Sequence, residues 1–196
     1  MPRIDSEKFY KSAIDIHGIS AKGVNWYSKE YQELRFDLLL ETLPEDITGF
    51  TIVDAGCGFG DLFLYMEKKN KLPQRYIGID SLSDMYEIAS SRTGCEILIA
   101  DICNDTIPNA DYYLCSGAMN VLNRFETHLF IRRCFEASRY GFIFNILHGD
   151  KESETYNYLS SSQIHTIASD LDVDTVLLKD NYLENDITVA FLKAKH

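Results

Sequence analysis

The segment Thr51-Ile-Val-Asp-Ala-Gly-Cys-Gly-Phe-Gly-Asp61 restricts the fold of this chain more than any other. A short apolar run ends in Asp54, passes through glycines at 56, 58 and 60, and enters an apolar helical pattern from Leu62 to Met66. Glycine tolerates positive φ and has no Cβ, so a ligand can lie against the backbone of such a turn, and the helix that follows presents unpaired N–H groups. This is the pattern of a βα turn that cradles a nucleoside cofactor. Its spacing separates the cofactor classes. Nicotinamide and flavin proteins use G-x-G-x-x-G, whereas this turn is G-x-G-x-G with Asp61 where the third glycine would fall, and a carboxylate there would oppose a pyrophosphate. A nicotinamide oxidoreductase is therefore disfavoured.

After Gly49, short apolar runs alternate with helical periodicity, the pattern of βα units that feed a mostly parallel sheet. Strands are predicted at 51–54, 76–80, 96–100, 111–116, 141–147, 174–179 and 188–193, and helices at 61–69, 83–91, 125–138 and 163–171. Asn123 with Glu126 and Ser160 with Gln163 have capping-box spacing, and Ser81 or Ser83 is expected to cap the 83–91 helix. The stretch between Asp101 and the fourth strand, which contains Pro108, is expected to be a loop. The last two strands are joined by a polar connection too short for a parallel crossover, so they should pair antiparallel. Upstream, 7–17 and 28–42 read as two helices, the second capped by Ser28 and stopped before Pro44. The expected organisation is one globular domain, with an N-terminal helical extension or lid over 1–49 and a cofactor-binding domain over 50–196.

Charge and cysteine usage exclude several functions. The formal net charge is −11, from 30 acidic and 19 basic residues, and no basic cluster is denser than Arg132–Arg133 or Lys68–Lys69 with Lys71. Binding to a phosphate backbone needs a basic patch that displaces counterions, so nucleic acid is not expected as a partner. The five cysteines form no C-x-x-C pair and fit reduced thiols in a cytoplasmic protein. Residues 1–10 lack the apolar stretch of a signal peptide and no window reaches transmembrane length, so no membrane association is expected. No metal is expected, and no oligomeric state is assigned.

Two further strand ends follow the glycine turn in order. Tyr76-Ile-Gly-Ile-Asp80 ends in a carboxylate that can accept hydrogen bonds from both ribose hydroxyls, and Ile97-Leu-Ile-Ala-Asp101-Ile102 ends in one that can accept from an adenine amino group. With Ala110-Asp-Tyr-Tyr-Leu-Cys-Ser-Gly117, this series resembles the class I S-adenosylmethionine (SAM)-dependent methyltransferase family over roughly residues 50–195. SAM has no phosphate and carries a sulfonium and an ammonium group, so an acidic turn suits it. The resemblance implies an α/β, Rossmann-like fold: a seven-stranded, mostly parallel sheet of order 3-2-1-4-5-7-6, its last strand antiparallel and helices on both faces. It places Gly56, Cys57 and Gly58 along the methionine part of SAM with Asp54 near the ammonium. Asp80 is placed on the ribose, Ser81 and Leu82 beside the adenine, Asp101 and Ile102 at the adenine edge and face, and Cys115 and Ser116 by the sulfonium. Cys57 and Cys115 read as packing thiols rather than nucleophiles.

Displacement at a sulfonium has a good leaving group, so alignment and water exclusion can supply much of the rate and no fixed catalytic triad is required. Where a base is needed, His17, His148 or a loop tyrosine can serve, and His148, at the end of the fifth strand, is favoured. The Cys-Ser-Gly-Ala-Met sequence after the fourth strand lacks the N/D-P-P-Y/F motif of adenine and glutamine methyltransferases, and a Pro-Cys nucleophile for cytosine is absent. A small-molecule acceptor is the leading expectation; a protein side chain, or a non-catalytic module that holds SAM or a derivative, is the alternative. Arg35 shares a helix face with Gln32 and Leu39 and can clamp the SAM carboxylate or pair with Glu33 or Glu41. Tyr10, Trp26 and Tyr27 can form an apolar lid or pack as core, and Tyr156 and Tyr158 are expected in the opposite wall of the acceptor pocket.

Overall fold

The alternation of short apolar runs with 3.6-residue periodicity is realised as a central sheet with helices on both faces. The computed structural model describes residues 6–24 and 27–194. Helices α1 (Ser6–His17) and α2 (Lys29–Thr42) precede strand β1 (Thr51–Ala55). Then come α3 (Asp61–Lys68), β2 (Arg75–Asp80), α4 (Ser83–Thr93), β3 (Glu96–Ile99) and β4 (Ala110–Ser116). The chain continues through α5 (Arg124–Ala137), β5 (Ser138–His148), β6 (Tyr158–Leu159), α6 (Ser161–Asp170), β7 (Thr175–Lys179) and β8 (Asp186–Leu192).

The sheet order is β3-β2-β1-β4-β5-β8-β7, and β8 runs antiparallel to both β5 and β7. This is the expected Rossmann-like order, with one addition: the two-residue β6 pairs parallel with the end of β5. Residues 101–109 form the loop expected in place of a helix. Both capping boxes are present, Asn123 with Glu126 and Ser160 with Gln163, and Ser28 caps α2 by accepting from the Tyr31 N–H. The cap of α4 differs from expectation. Leu82 occupies that position and has no side-chain oxygen to cap the helix with; its own N–H donates to the Asp80 carboxylate at 3.1 Å. Strand β5 also begins three residues earlier than expected. Ser138 donates its hydroxyl to Phe135 O at 2.7 Å and turns the chain directly from helix into strand.

Successive residues of each inner strand feed opposite faces, as the pleat requires. On one face Ile52, Tyr76, Leu114, Ile143 and Ala190 pack with Phe36, Leu39 and Leu40 of α2 and Leu62, Tyr65 and Met66 of α3. On the other, Val53, Ile77, Tyr113, Phe142 and Phe144 pack with α5 and α6. Burial on both faces explains why these strands read as continuous apolar runs. Helix α2 is thus a core helix: Gln32, Arg35, Phe36, Leu39 and Leu40 all face inward.

Leu39 is fully buried against the sheet. Leu39→Ala is expected to destabilise the whole domain by about 2–5 kcal/mol, read as a lower urea midpoint with an unchanged slope. A separate early transition would instead show that α2 unfolds independently.

Candidate active site

The glycine turn is fixed by the neighbouring strand. The N–H groups of Gly56 and Cys57 both donate to Ile79 O, at 2.8 and 3.0 Å, and Gly60 N–H closes the turn on Cys57 O at 2.9 Å. Gly56 sits at φ +80°, and a Cβ there would lie 2.3 Å from the Ala118 Cβ. Only glycine leaves this edge of backbone open. Gly60, at φ +77°, starts α3 in the left-handed region, where an L side chain is strained.

Asp80 stands at the end of β2 and holds the turn from the other side. One carboxylate oxygen accepts from Gly58 N–H at 2.9 Å and the other from Leu82 N–H at 3.1 Å. Burial raises its pKa, and the N–H groups of Gly58, Leu82 and Ser81 oppose the rise. Asp54 is buried inside the end of β1 and accepts from the Tyr76 hydroxyl at 2.6 Å. Burial pushes its pKa up to about 7 against that hydrogen bond, with the charges of Asp80 and Asp61 adding to the shift. Asp61, in the first turn of α3, pairs with Arg92 at 2.8 Å and accepts from Gln32 at 3.2 Å. Asp101 caps the turn after β3, accepting from Cys103 N–H at 2.8 Å and from the Asn104 amide at 2.6 Å.

These strand ends open on a cavity of about 650 Å³. Of the residues singled out in the sequence, Asp54, Gly56, Cys57, Gly58, Asp80, Ser81, Leu82, Asp101, Ile102 and Ser116 line it, as do Tyr10 of α1 and Tyr156 of the loop after β5. Phe9 packs edge-on against Tyr156, with ring centroids 6.5 Å apart, so α1 and the β5–β6 loop meet over the cavity. Trp26 lies outside the described residues. Three assignments are corrected. Cys115 is fully buried beneath the cavity wall, and burial, reinforced by the charge of Asp54, pushes its thiol up to about 12. His148 does not line the cavity, because the pairing of β6 with β5 engages its Nδ1 on Leu159 O at 2.9 Å and brings its Nε2 to within 3.5 Å of the Ser161 hydroxyl. Arg35 is also off the cavity: its Nε donates to Asp186 Oδ2 at 2.8 Å, its Nη2 reaches the same oxygen, and its Nη1 donates to Tyr31 O. Glu33 lies beside Lys29 and Lys68, and Glu41 pairs with Lys179. Burial raises the pKa of Asp186 and the Arg35 guanidinium opposes that rise, while its two carboxyl oxygens face the Arg35 and Tyr182 donors.

The sequence reading did not find Gln32 and Phe36 of α2, Asn120 and Val121 of the turn after β4, or Phe130 of α5, all of which line the cavity. Gln32 had a signal, an amide on a helix face otherwise turned to the core. Phe130 had none beyond its place in the apolar face of α5. The Cys57 thiol is pushed well above its ordinary range by burial and by the charges of Asp54 and Asp80, so it too is a packing thiol. Among the described residues, no group of three or more His, Cys, Asp or Glu side chains is arranged to hold a metal ion, and no helix is long and apolar enough to cross a membrane.

Comparisons with known proteins meet this geometry. The family described as a methyltransferase domain matches residues 52–141, from β1 into β5. Residues 52–141 of the chain thus carry a methyltransferase domain. Its fold is similar to that of magnesium protoporphyrin IX methyltransferase from Synechocystis PCC 6803 with bound S-adenosylhomocysteine (SAH). That match has 12% identity and a TM-score of 0.68 over 84% of each chain. It is similar also to human N-acetylserotonin methyltransferase in complex with SAM, at 12% identity and a TM-score of 0.65, covering 96% of this chain and 56% of that one. A third similar structure is a methyltransferase from a complex with the Haloferax volcanii Trm112 activator, at 12% identity and a TM-score of 0.67 over 95% and 98% of the two chains. A search of curated proteins by sequence returns no match.

The raised pKa of Asp54 has a measurable consequence. The unfolded chain releases this proton near the ordinary value of 3.8 and the folded chain near 7, so folding stability falls as pH rises through that interval. In Asp54→Asn this loss is removed, and the drop in urea midpoint between pH 5.5 and 7.5 is expected to shrink relative to the parent. An identical drop in both proteins would show that Asp54 is not the titrating group.

Proposed function

We propose that this protein transfers the methyl group of SAM to a small-molecule acceptor held in the cavity between the strand ends, α1 and the β5–β6 loop. The observation that carries the reading is the cavity itself. Its volume of about 650 Å³ falls within the range of about 300–1,000 Å³ common for sites that bury a small molecule. It is also continuous with the glycine turn. Two of the structural relatives are named for small-molecule acceptors.

The residues present fit SAM. Gly56 keeps the backbone open where the methionine portion would lie, and Asp80, oriented by Gly58 and Leu82 N–H groups, offers its carboxylate at the position for a ribose. Asp54, Asp61, Asp80 and Asp101 line the cavity, and among the described residues no Lys or Arg does, which suits a ligand that carries a sulfonium and an ammonium. When bound, SAM would supply an electrophilic methyl carbon open to in-line attack by an acceptor lone pair, with the methyl–sulfur bond breaking and SAH leaving as a neutral thioether. The protein then has to align the acceptor and exclude water. Phe9, Tyr10 and Tyr156 cover the cavity and do the second. Burial beside Asp80 pushes the Tyr10 hydroxyl well above its ordinary pKa, so it stays protonated and serves as a hydrogen-bonding wall rather than as a base.

Calorimetry is expected to show SAM and SAH binding and no NAD binding. Asp80→Ala should weaken both by about 2 kcal/mol or more, at least about 30-fold, through the lost hydrogen bonds to a charged group. Tight NAD binding without SAM binding would overturn the cofactor. A methyl-release assay against pooled metabolites and pooled peptides tests the acceptor class, and activity confined to the peptide pool would overturn the small-molecule reading.

A further inference from the structure

On the α2 face of the sheet, the register partners Ser116 of β4, Asn145 of β5 and Thr188 of β8 form a polar row. The row directly behind it, Leu114, Ile143 and Ala190, is apolar and buried. The polar row is a single hydrogen-bonded chain. Ser116 Oγ donates to Asn145 Oδ1 at 3.0 Å, Asn145 Nδ2 to Thr188 Oγ1 at 2.7 Å, Thr188 Oγ1 to the Tyr182 hydroxyl at 3.0 Å, and Tyr182 to Asp186. Arg35 of α2 pairs with that carboxylate. A carboxylate held by a guanidinium only accepts, so the anchor sets the direction of every proton in the chain. Tyr182 must give its proton to Asp186, Thr188 must give to Tyr182, and Asn145 must turn its amide nitrogen to Thr188 and its oxygen to Ser116. The Ser116 proton is thereby committed inward, and the lone pairs of Oγ are what the side chain offers to the cavity it lines.

Asn120, in the turn after β4, supplies the complement. Its Oδ1 accepts from Leu147 N–H at 3.1 Å, which leaves its Nδ2 donors on the cavity side. An acceptor and a donor, each with its role set by a partner on β5, match a group that donates and accepts at one atom, as a hydroxyl does. The aromatic rings of Phe9, Tyr156 and Phe130 on the same cavity provide faces for a planar ligand.

We propose that Ser116 and Asn120 form the site for an aryl hydroxyl group of the methyl acceptor, with Ser116 accepting its O–H and Asn120 donating to its oxygen. Tyr182 and the Arg35–Asp186 pair act as positioning residues that keep Ser116 an acceptor. This rests on the small-molecule methyltransferase reading and adds the chemical class of the acceptor. The test uses the full chain saturated with SAH, titrated by ligand-observed NMR with phenol and with anisole, which has the same ring and no O–H to donate. Phenol is expected to bind about tenfold more tightly than anisole, the worth of one hydrogen bond. Ser116→Ala and Tyr182→Phe should each abolish that ratio, and Ser116→Thr should retain it. Tyr182 does not line the cavity, so a variant there that merely loosened the fold would weaken both ligands and leave the ratio alone. If phenol fails to bind, binds no better than anisole, or keeps its advantage in Ser116→Ala or Tyr182→Phe, the proposal is wrong. Failure of the parent protein to bind SAH would instead remove the cofactor reading on which it rests.

Discussion

The clamp between the ends of β1 and β2 is the constraint on which the site depends. Ile79 O takes two consecutive N–H groups from the glycine turn, and the next residue, Asp80, takes a third from Gly58. Parallel strands bring their carboxyl ends to one edge, where the chain must leave the sheet and its last polar groups need partners. Here they partner one another across the gap. The turn is thus held rigid without a side chain of its own, and the cavity opens beside bare backbone. The acidic side chains around it follow from the same economy of space, since Asp54 and Asp80 each stand at or near a strand end with little room for a countercharge.

That electrostatic arrangement links the cofactor to the fold. A buried carboxyl such as Asp54, with a raised pKa and the Tyr76 hydroxyl as its hydrogen-bond partner, is a poor place for a charge until a cation arrives. Its tuning comes from burial in the sheet, not from proximity to a base. The cavity is suited to a cationic cofactor for reasons set deep in the architecture.

Much of this was legible in the sequence because it is local. The three glycines, the carboxylates near the end of β1 and at the end of β2, the two capping boxes and the antiparallel hairpin are each written in one short stretch of chain, and the structure forms both boxes and the hairpin. What escaped is long-range. Arg35 on an inward helix face read as a ligand clamp because its partner, Asp186, lies 151 residues away. His148 read as a base at a strand end because nothing in Tyr158–Leu159 announces a two-residue strand that would engage its ring. A signal for the polar row did exist: Asn145 and Thr188 each interrupt an apolar strand buried on both faces. Such a residue must find a partner or carry an unmet desolvation penalty, so two of them point toward each other.

The Arg35–Asp186 pair also bears on how the chain is made. During synthesis α2 leaves the ribosome long before β8, so its arginine lacks the Asp186 carboxylate until 151 further residues have been translated. Burying a lone guanidinium is costly, and α2 should therefore hold off from its final seat on the sheet until the last strand arrives. The closing event of folding would then be the one that aligns the wall of the active site, and a chain cut short before Asp186 would lack the site as well as the strand.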